Sequence, residues 1–313
     1  MRTAFIEALN ELAATDDRVC LVVGDLGYSV IEDFAQKYPD QFVNAGVAEQ
    51  NMIGLAVGMA LSGKIVFTYS IANFGTLRCL EQIRNDVCYH RANVKVVAVG
   101  GGLAYGNLGV THHASEDVAI MRALPNMVVV APGDPIEARL ATKAVVARDG
   151  PAYLRLGKAG ERVVHAQAPG FELGRAITMR EGDDIALIAS GSMLATADEI
   201  AGQLVAKGLS VRLLSMHTVK PLDREAVIRA ATETRIVVTL EEHSVEGGLG
   251  GAVAEVIAEL PPGHAPLKRI GLRPEFNSVV GDQNYLKALH GLDADGVMQT
   301  IQALEMAGAA KDV

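Results

Sequence analysis

Short, almost uninterrupted apolar runs rich in valine and isoleucine recur along the chain, separated by longer stretches whose apolar residues follow helical spacing. The runs are Val19 to Val23, Ile65 to Tyr69, Val94 to Val99, Met127 to Ala131, Asp184 to Ala189, Ser210 to Leu214 and Arg235 to Leu240. A strand with one wet face alternates apolar with polar residues, so strands apolar throughout have to be covered on both faces. Between them, Arg2 to Ala14, Gln50 to Ser62, Pro135 to Ala147, Ala195 to Lys207 and Gly250 to Leu260 read as helices. This alternation predicts βαβ units and an α/β fold: doubly wound, mainly parallel sheets with helices on both faces.

A chain of 313 residues, half of them hydrophobic, exceeds what one core usually supports, so two domains are expected. The strand and helix series lapses at His165 to Gly170, where a Pro-Gly turn stands, which divides the chain into residues 1–165 and 166–313. From Ala307 onward the end reads as frayed. With 28 Lys+Arg against 37 Asp+Glu the net charge is −9, which offers no cationic surface to nucleic acid or to an anionic membrane. No stretch approaches the roughly 18 apolar residues of a membrane span. Met1 to Glu7 lacks a signal-peptide pattern, so a cytoplasmic location is expected. Cys20, Cys79 and Cys88 are odd in number and lack C-x-x-C spacing, and so read as reduced core thiols.

Several strand ends run into glycine-rich turns: Val23-Gly24-Asp25-Leu26-Gly27, Val99-Gly100-Gly101-Gly102 and Ser190-Gly191-Ser192. Ligands of open α/β sheets bind beyond the carboxyl ends of strands, which makes these turns the place to look for a site. None is a dinucleotide or Walker fingerprint, and such glycines serve either tight turns or phosphate cradles. Glu49 opens a helix that is apolar nearly all round and therefore expected to be buried. Its carboxylate either complements the helix dipole or sits in a desolvated site, where burial would raise its pKa. His112 and His113 precede a helix expected to be capped by Ser115. No further ligands stand at suitable spacing, so no metal site is expected, and a histidine at a sheet mouth suits proton transfer or substrate hydrogen bonding.

Three blocks together resemble the transketolase family, which includes 1-deoxyxylulose-5-phosphate synthase: Asn44-Ala45-Gly46-Val47-Ala48-Glu49-Gln50-Asn51-Met52, Gly109-Val110-Thr111-His112-His113 leading to Arg122-Ala123-Leu124-Pro125-Asn126-Met127, and Glu241-Glu242-His243-Ser244-Val245-Glu246-Gly247-Gly248-Leu249-Gly250. The resemblance runs from Arg2 to about Leu289. It implies a thiamine diphosphate pyrimidine-binding domain followed by the transketolase C-terminal domain, the C-terminal half of a full enzyme. The family holds the diphosphate and Mg²⁺ through a Gly-Asp-Gly motif and a later Asn on a separate N-terminal domain. Gly24-Asp25-Leu26 and Gly281-Asp282-Gln283 are the nearest strings here and lack the third glycine. The resemblance therefore implies one subunit of a split transketolase, moving a two-carbon ketol unit from a ketose (phosphate) to an aldose. Most of the thiamine diphosphate and Mg²⁺ would be held by an N-terminal-half partner, in a heterotetramer that also self-associates across a two-fold axis.

By the same resemblance, Glu49 hydrogen-bonds a ring nitrogen of the cofactor's aminopyrimidine and so promotes loss of the thiazolium proton. Tyr69 and Phe74 are expected to wall the pyrimidine, His112 to face the substrate oxygen, and His113 to be structural. Asp25 and Ser29 fall beside the cofactor and donor, and Arg2 and Arg155 where the family grips a sugar phosphate. Two positions depart from the family: Gly100 stands for a substrate-binding histidine and Leu108 for an aspartate. Competing readings are the β subunit of a 2-oxo acid dehydrogenase decarboxylase, a deoxyxylulose-phosphate-synthase-like enzyme, and a non-enzymatic α/β binding or scaffolding module.

Overall fold

The computed structural model describes residues 1–309, and the expectation of a frayed end lies, from residue 310, outside the described residues. Twelve strands follow in order: β1 (Val19–Val23), β2 (Phe42–Asn44), β3 (Ile65–Ile71), β4 (Val94–Val99), β5 (Val128–Val130), β6 (Ala152–Leu156), β7 (Ile177–Arg180), β8 (Ile185–Ala189), β9 (Val211–Ser215), β10 (Thr218–Lys220), β11 (Ile236–Ser244) and β12 (Leu267–Leu272). The seven apolar runs of the sequence correspond to β1, β3, β4, β5, β8, β9 and β11.

The first sheet has the order β10-β5-β6-β4-β3-β1-β2 and the second β12-β11-β8-β9-β7. Every pairing is parallel except β10 with β5 and β7 with β9, both at sheet edges. Each sheet carries an apolar cluster on either face. Phe5, Leu9, Phe67 and Tyr69 belong to one face of the first sheet, Met52, Val66, Ile83 and Met121 to the other. The two α/β layers are therefore doubly wound, as continuous apolar strands require.

The layers interlock. Although β10 follows β9 of the second sheet in sequence, it pairs with β5 of the first. Next to it, the Ala131 amide donates to the His217 carbonyl at 2.7 Å and the Gly191 amide to the Ala131 carbonyl at 3.0 Å. A segment beyond residue 166 thus completes the edge of the N-terminal sheet, a contact that three-residue strands do not announce in sequence.

The helix Glu49–Leu61 differs from expectation: Glu49, Met52, Ile53, Ala56 and Val57 are buried, whereas Gln50, Asn51, Gly54, Leu55, Gly58 and Leu61 are exposed. Its apolar character all round therefore covers a core on one side only. The three cysteines are free and buried, and burial pushes the Cys79 thiol up to about 12 and that of Cys88 up to about 11. Among the described residues no helix is long and apolar enough to cross a membrane.

Candidate active site

From β1 the chain steps to β2 on one side, and then crosses to β3, β4 and β6 on the other. The reversal makes the carboxyl ends of β1 and β3 a topological switch point, where parallel sheets leave a crevice. The glycine-rich loop after β1, the Asn73–Phe74 corner after β3 and the helix begun by Glu49 after β2 all open into it.

Glu49 is the first residue of its helix and only 2 % exposed. Arg78 Nη1 donates to its Oε2 at 2.7 Å, so the buried carboxylate has a cationic partner. Among the described residues Oε1 makes no such bond. The Arg78 guanidinium also lies 4.8 Å above the centre of the Phe74 ring. Phe74 meets the His112 ring edge-on, centroids 5.0 Å apart, and His112 lies 6.5 Å from the ring of Tyr105. Lys158 Nζ sits 5.0 Å from the centre of that tyrosine ring. Glu49, Arg78, Phe74, His112, Tyr105 and Lys158 form one unbroken arc, with a carboxylate at one end and an exposed ammonium at the other.

Asp25 and Ser29 lie in the loop after β1, both with positive φ (55° and 65°). Asn44 clamps the loop, donating from Nδ2 to Asp25 Oδ1 at 2.9 Å and accepting the Asp25 amide on Oδ1 at 3.1 Å. The Ser29 amide donates to Glu32 Oε1 at 2.7 Å, leaving the hydroxyl exposed. Arg2, half-buried at the start of the first helix, acts electrostatically on both Tyr69 and Tyr105.

Two expected site residues are buried. Tyr69 is 2 % exposed and stacks on Phe5 at 6.0 Å. Strand alternation puts it on the same face as Phe67, under the first helix. Arg155 is buried: Nε donates to Asp117 Oδ2 at 2.8 Å, and Nη2 donates to Asp117 Oδ1 at 3.2 Å, to the Ala114 carbonyl at 2.9 Å and to the Glu242 carbonyl at 3.0 Å. Nε and Nη2 thus tie three segments together. Residues inside a strand point at a sheet face, whereas Lys158, three positions after Arg155 and just past the end of β6, is exposed.

The Gly100-Gly101-Gly102 turn is more than a tight turn. A Cβ on Gly100 would lie 2.1 Å from the Tyr105 ring, on Gly101 2.5 Å from Arg155 Nε, and on Gly102 2.6 Å from Glu242 Oε1. Each glycine makes room for one side chain. Glu242 in turn joins the two layers, accepting from the Leu103 amide at 2.7 Å, Ser192 Oγ at 2.6 Å and Gln283 Nε2 at 2.9 Å. The helix after the histidines is Asp117–Ala123 with Glu116 at its cap position, not Ser115, whose hydroxyl bonds the Glu116 carboxylate instead. His113 is buried behind His112, and burial holds its imidazole below the usual range.

A buried carboxylate at a switch point, an aromatic ring near it and a histidine against that ring thus come together on a two-layer α/β chain. Residues 1–161 match the family model for the transketolase pyrimidine binding domain and residues 174–297 that for the transketolase C-terminal domain. The chain belongs to the transketolase family. It is 40 % identical over 301 residues to one of the subunits of the apulose-4-phosphate transketolase of Phocaeicola vulgatus, covering 96 % of this chain and 95 % of that one. It is also 40 % identical over 300 residues to the 6-deoxy-6-sulfo-D-fructose transketolase subunit SqwH of Clostridium sp., covering 96 % of this chain and 92 % of the other. Among solved structures, a split gene transketolase described as an inactive beta4 tetramer superposes with a TM-score of 0.87 at 39 % identity, covering 96 % of both chains. The two sequence relatives are named as transketolase subunits, not as synthases or dehydrogenase subunits.

Proposed function

We propose that this chain is the C-terminal-half subunit of a split, thiamine-diphosphate-dependent transketolase that moves a two-carbon ketol unit from a ketose to an aldose. The arc from Glu49 to Lys158 carries the reading, because it offers a cofactor-facing carboxylate and a substrate-facing cation on one wall. An aminopyrimidine fits what is present: a carboxylate with one oxygen free, a half-buried aromatic ring, and a loop held back by Asn44. Thiamine diphosphate, when bound, supplies the carbon nucleophile of the reaction. Glu49 holds a hydrogen bond at a pyrimidine nitrogen, and Phe74 excludes water from that ring. His112 donates to a substrate oxygen, while Asp25 and Ser29 line the approach. Arg2 and Lys158 bind the anionic end of the sugar, phosphate or sulfonate, the two kinds named in the relatives.

No Gly-Asp-Gly stands in the chain, so the diphosphate and Mg²⁺ fall to an N-terminal-half partner subunit. The exposed face of the helix Glu49–Leu61 starts at the catalytic carboxylate, and its small residues Gly54 and Gly58 let another helix approach closely. Two copies of each subunit around a two-fold axis account for both contacts. A cytoplasmic location agrees with sugar-phosphate chemistry. The test is reconstitution: this chain alone should neither bind thiamine diphosphate nor turn over, and adding the partner with Mg²⁺ should restore ketol transfer. Lipoamide-dependent decarboxylation by the same complex would instead favour the dehydrogenase reading.

A further inference from the structure

We propose that Tyr105 is a specificity-determining residue: seated over Gly100 and next to His112, its ring is the platform that holds Lys158 for the anionic end of the substrate. This rests on the ketol-transfer reading, and three observations carry it beyond that reading. Gly100 closes β4 with φ of 78°, and a Cβ there would fall 2.1 Å from Tyr105 Cε2 and 2.3 Å from Cδ2. Any side chain at position 100, including the histidine that the family resemblance leads one to expect, is therefore incompatible with the ring where it stands. The ring also touches both functional groups, His112 at 6.5 Å between centroids and Lys158 Nζ at 5.0 Å from its centre. Burial moreover raises the phenol above its ordinary range, so the hydroxyl keeps its proton and can donate a hydrogen bond.

The physical consequence follows from the lysine. An exposed lysine on a four-carbon stem carries much rotamer freedom and makes a poor fixed anion site. A cation over an aromatic face is confined without losing its charge. Glycine at 100 and tyrosine at 105 therefore act as a pair: the first creates the seat, the second fills it and presents the ammonium together with a phenolic donor. The ligand class is a tetrahedral oxyanion on a short polyol chain, whether phosphate or sulfonate.

Two measurements test this. In the full chain, inorganic phosphate and methanesulfonate are titrated while the Tyr105 ring signals, identified by their absence in Tyr105→Phe, are followed by NMR. Either anion should shift those signals in the unmodified chain and not in Lys158→Ala. No shift with either anion, or an undiminished shift in Lys158→Ala, would overturn the proposal. A response to one anion alone distinguishes phosphate from sulfonate as the source. In the reconstituted complex, Tyr105→Leu should raise KM for an anion-terminated ketose about two- to fivefold, the equivalent of one exposed cation–aromatic contact, with kcat held. In a Lys158→Ala background the same change should add nothing, and independent, additive effects would sink the platform role. A complex inert toward every ketose refutes the ketol-transfer reading and leaves the titration to judge Tyr105.

Discussion

Truncating Arg155 to alanine separates a structural guanidinium from a substrate-binding one. In the folded chain Arg155 bonds both Asp117 oxygens and the carbonyls of Ala114 and Glu242. Asp117 is 2 % exposed, and after truncation its remaining hydrogen-bond donor is the Tyr153 hydroxyl, at 2.5 Å. Removing one partner of a buried ion pair leaves an uncompensated charge and costs about 3–5 kcal/mol. At about 2–4 °C per kcal/mol for a cooperative unit of this size, Tm should fall by roughly 10 °C. The double variant Asp117→Ala with Arg155→Ala should recover part of that loss, since it removes the stranded carboxylate. Differential scanning calorimetry of the unmodified chain and the two variants reads this directly. If Arg155→Ala keeps its Tm within a degree or two and instead weakens binding of phosphorylated donors, the guanidinium reaches substrate and the structural role is wrong.

Glu49→Gln should leave Tm and assembly nearly unchanged while lowering cofactor-dependent turnover by about 10² to 10⁴-fold, the usual range for a lost acid–base group; wild-type hydrogen exchange at the thiazolium carbon in that variant would reduce Glu49 to a helix N-terminal charge. His112→Ala should slow ketol transfer yet leave that exchange at its wild-type rate, since His112 faces the substrate; a matching loss of exchange would place it at the cofactor. Burial pulls the Lys95 ammonium down to about 7 from an ordinary 10.5, its donors reaching only the Arg148 and Gly150 carbonyls. Below pH 7 the group is charged in both states, whereas between 7 and 10.5 the folded chain has released a proton that the unfolded chain keeps. Stability should therefore rise with pH across that window, at most about 1.4 kcal/mol per pH unit. Urea unfolding should show Lys95→Met flattening the rise, and an unchanged slope would contradict it.

Seven apolar runs were enough to read parallel sheets covered on both faces, because a strand buried on two sides leaves a continuous mark in sequence. The shorter or half-wet strands β2, β7, β10 and β12 leave no such mark, nor does β6, whose buried run is broken by Arg155. Glu49 and His112 stand out through their local blocks, each being set by a helix start or a turn whose geometry belongs to its own segment. What the sequence could not decide is which way a side chain points once its strand has joined a sheet. Arg155 and Tyr69 carry the right chemistry, and the pleat turns both inward, toward Asp117 and Phe5 respectively. Arg78, Tyr105 and Lys158 carry no motif of their own. They are brought together only because β3, β4 and β6 lie side by side, bringing segments some 30 to 80 residues apart near one another, and nearness of that kind exists only in the folded chain.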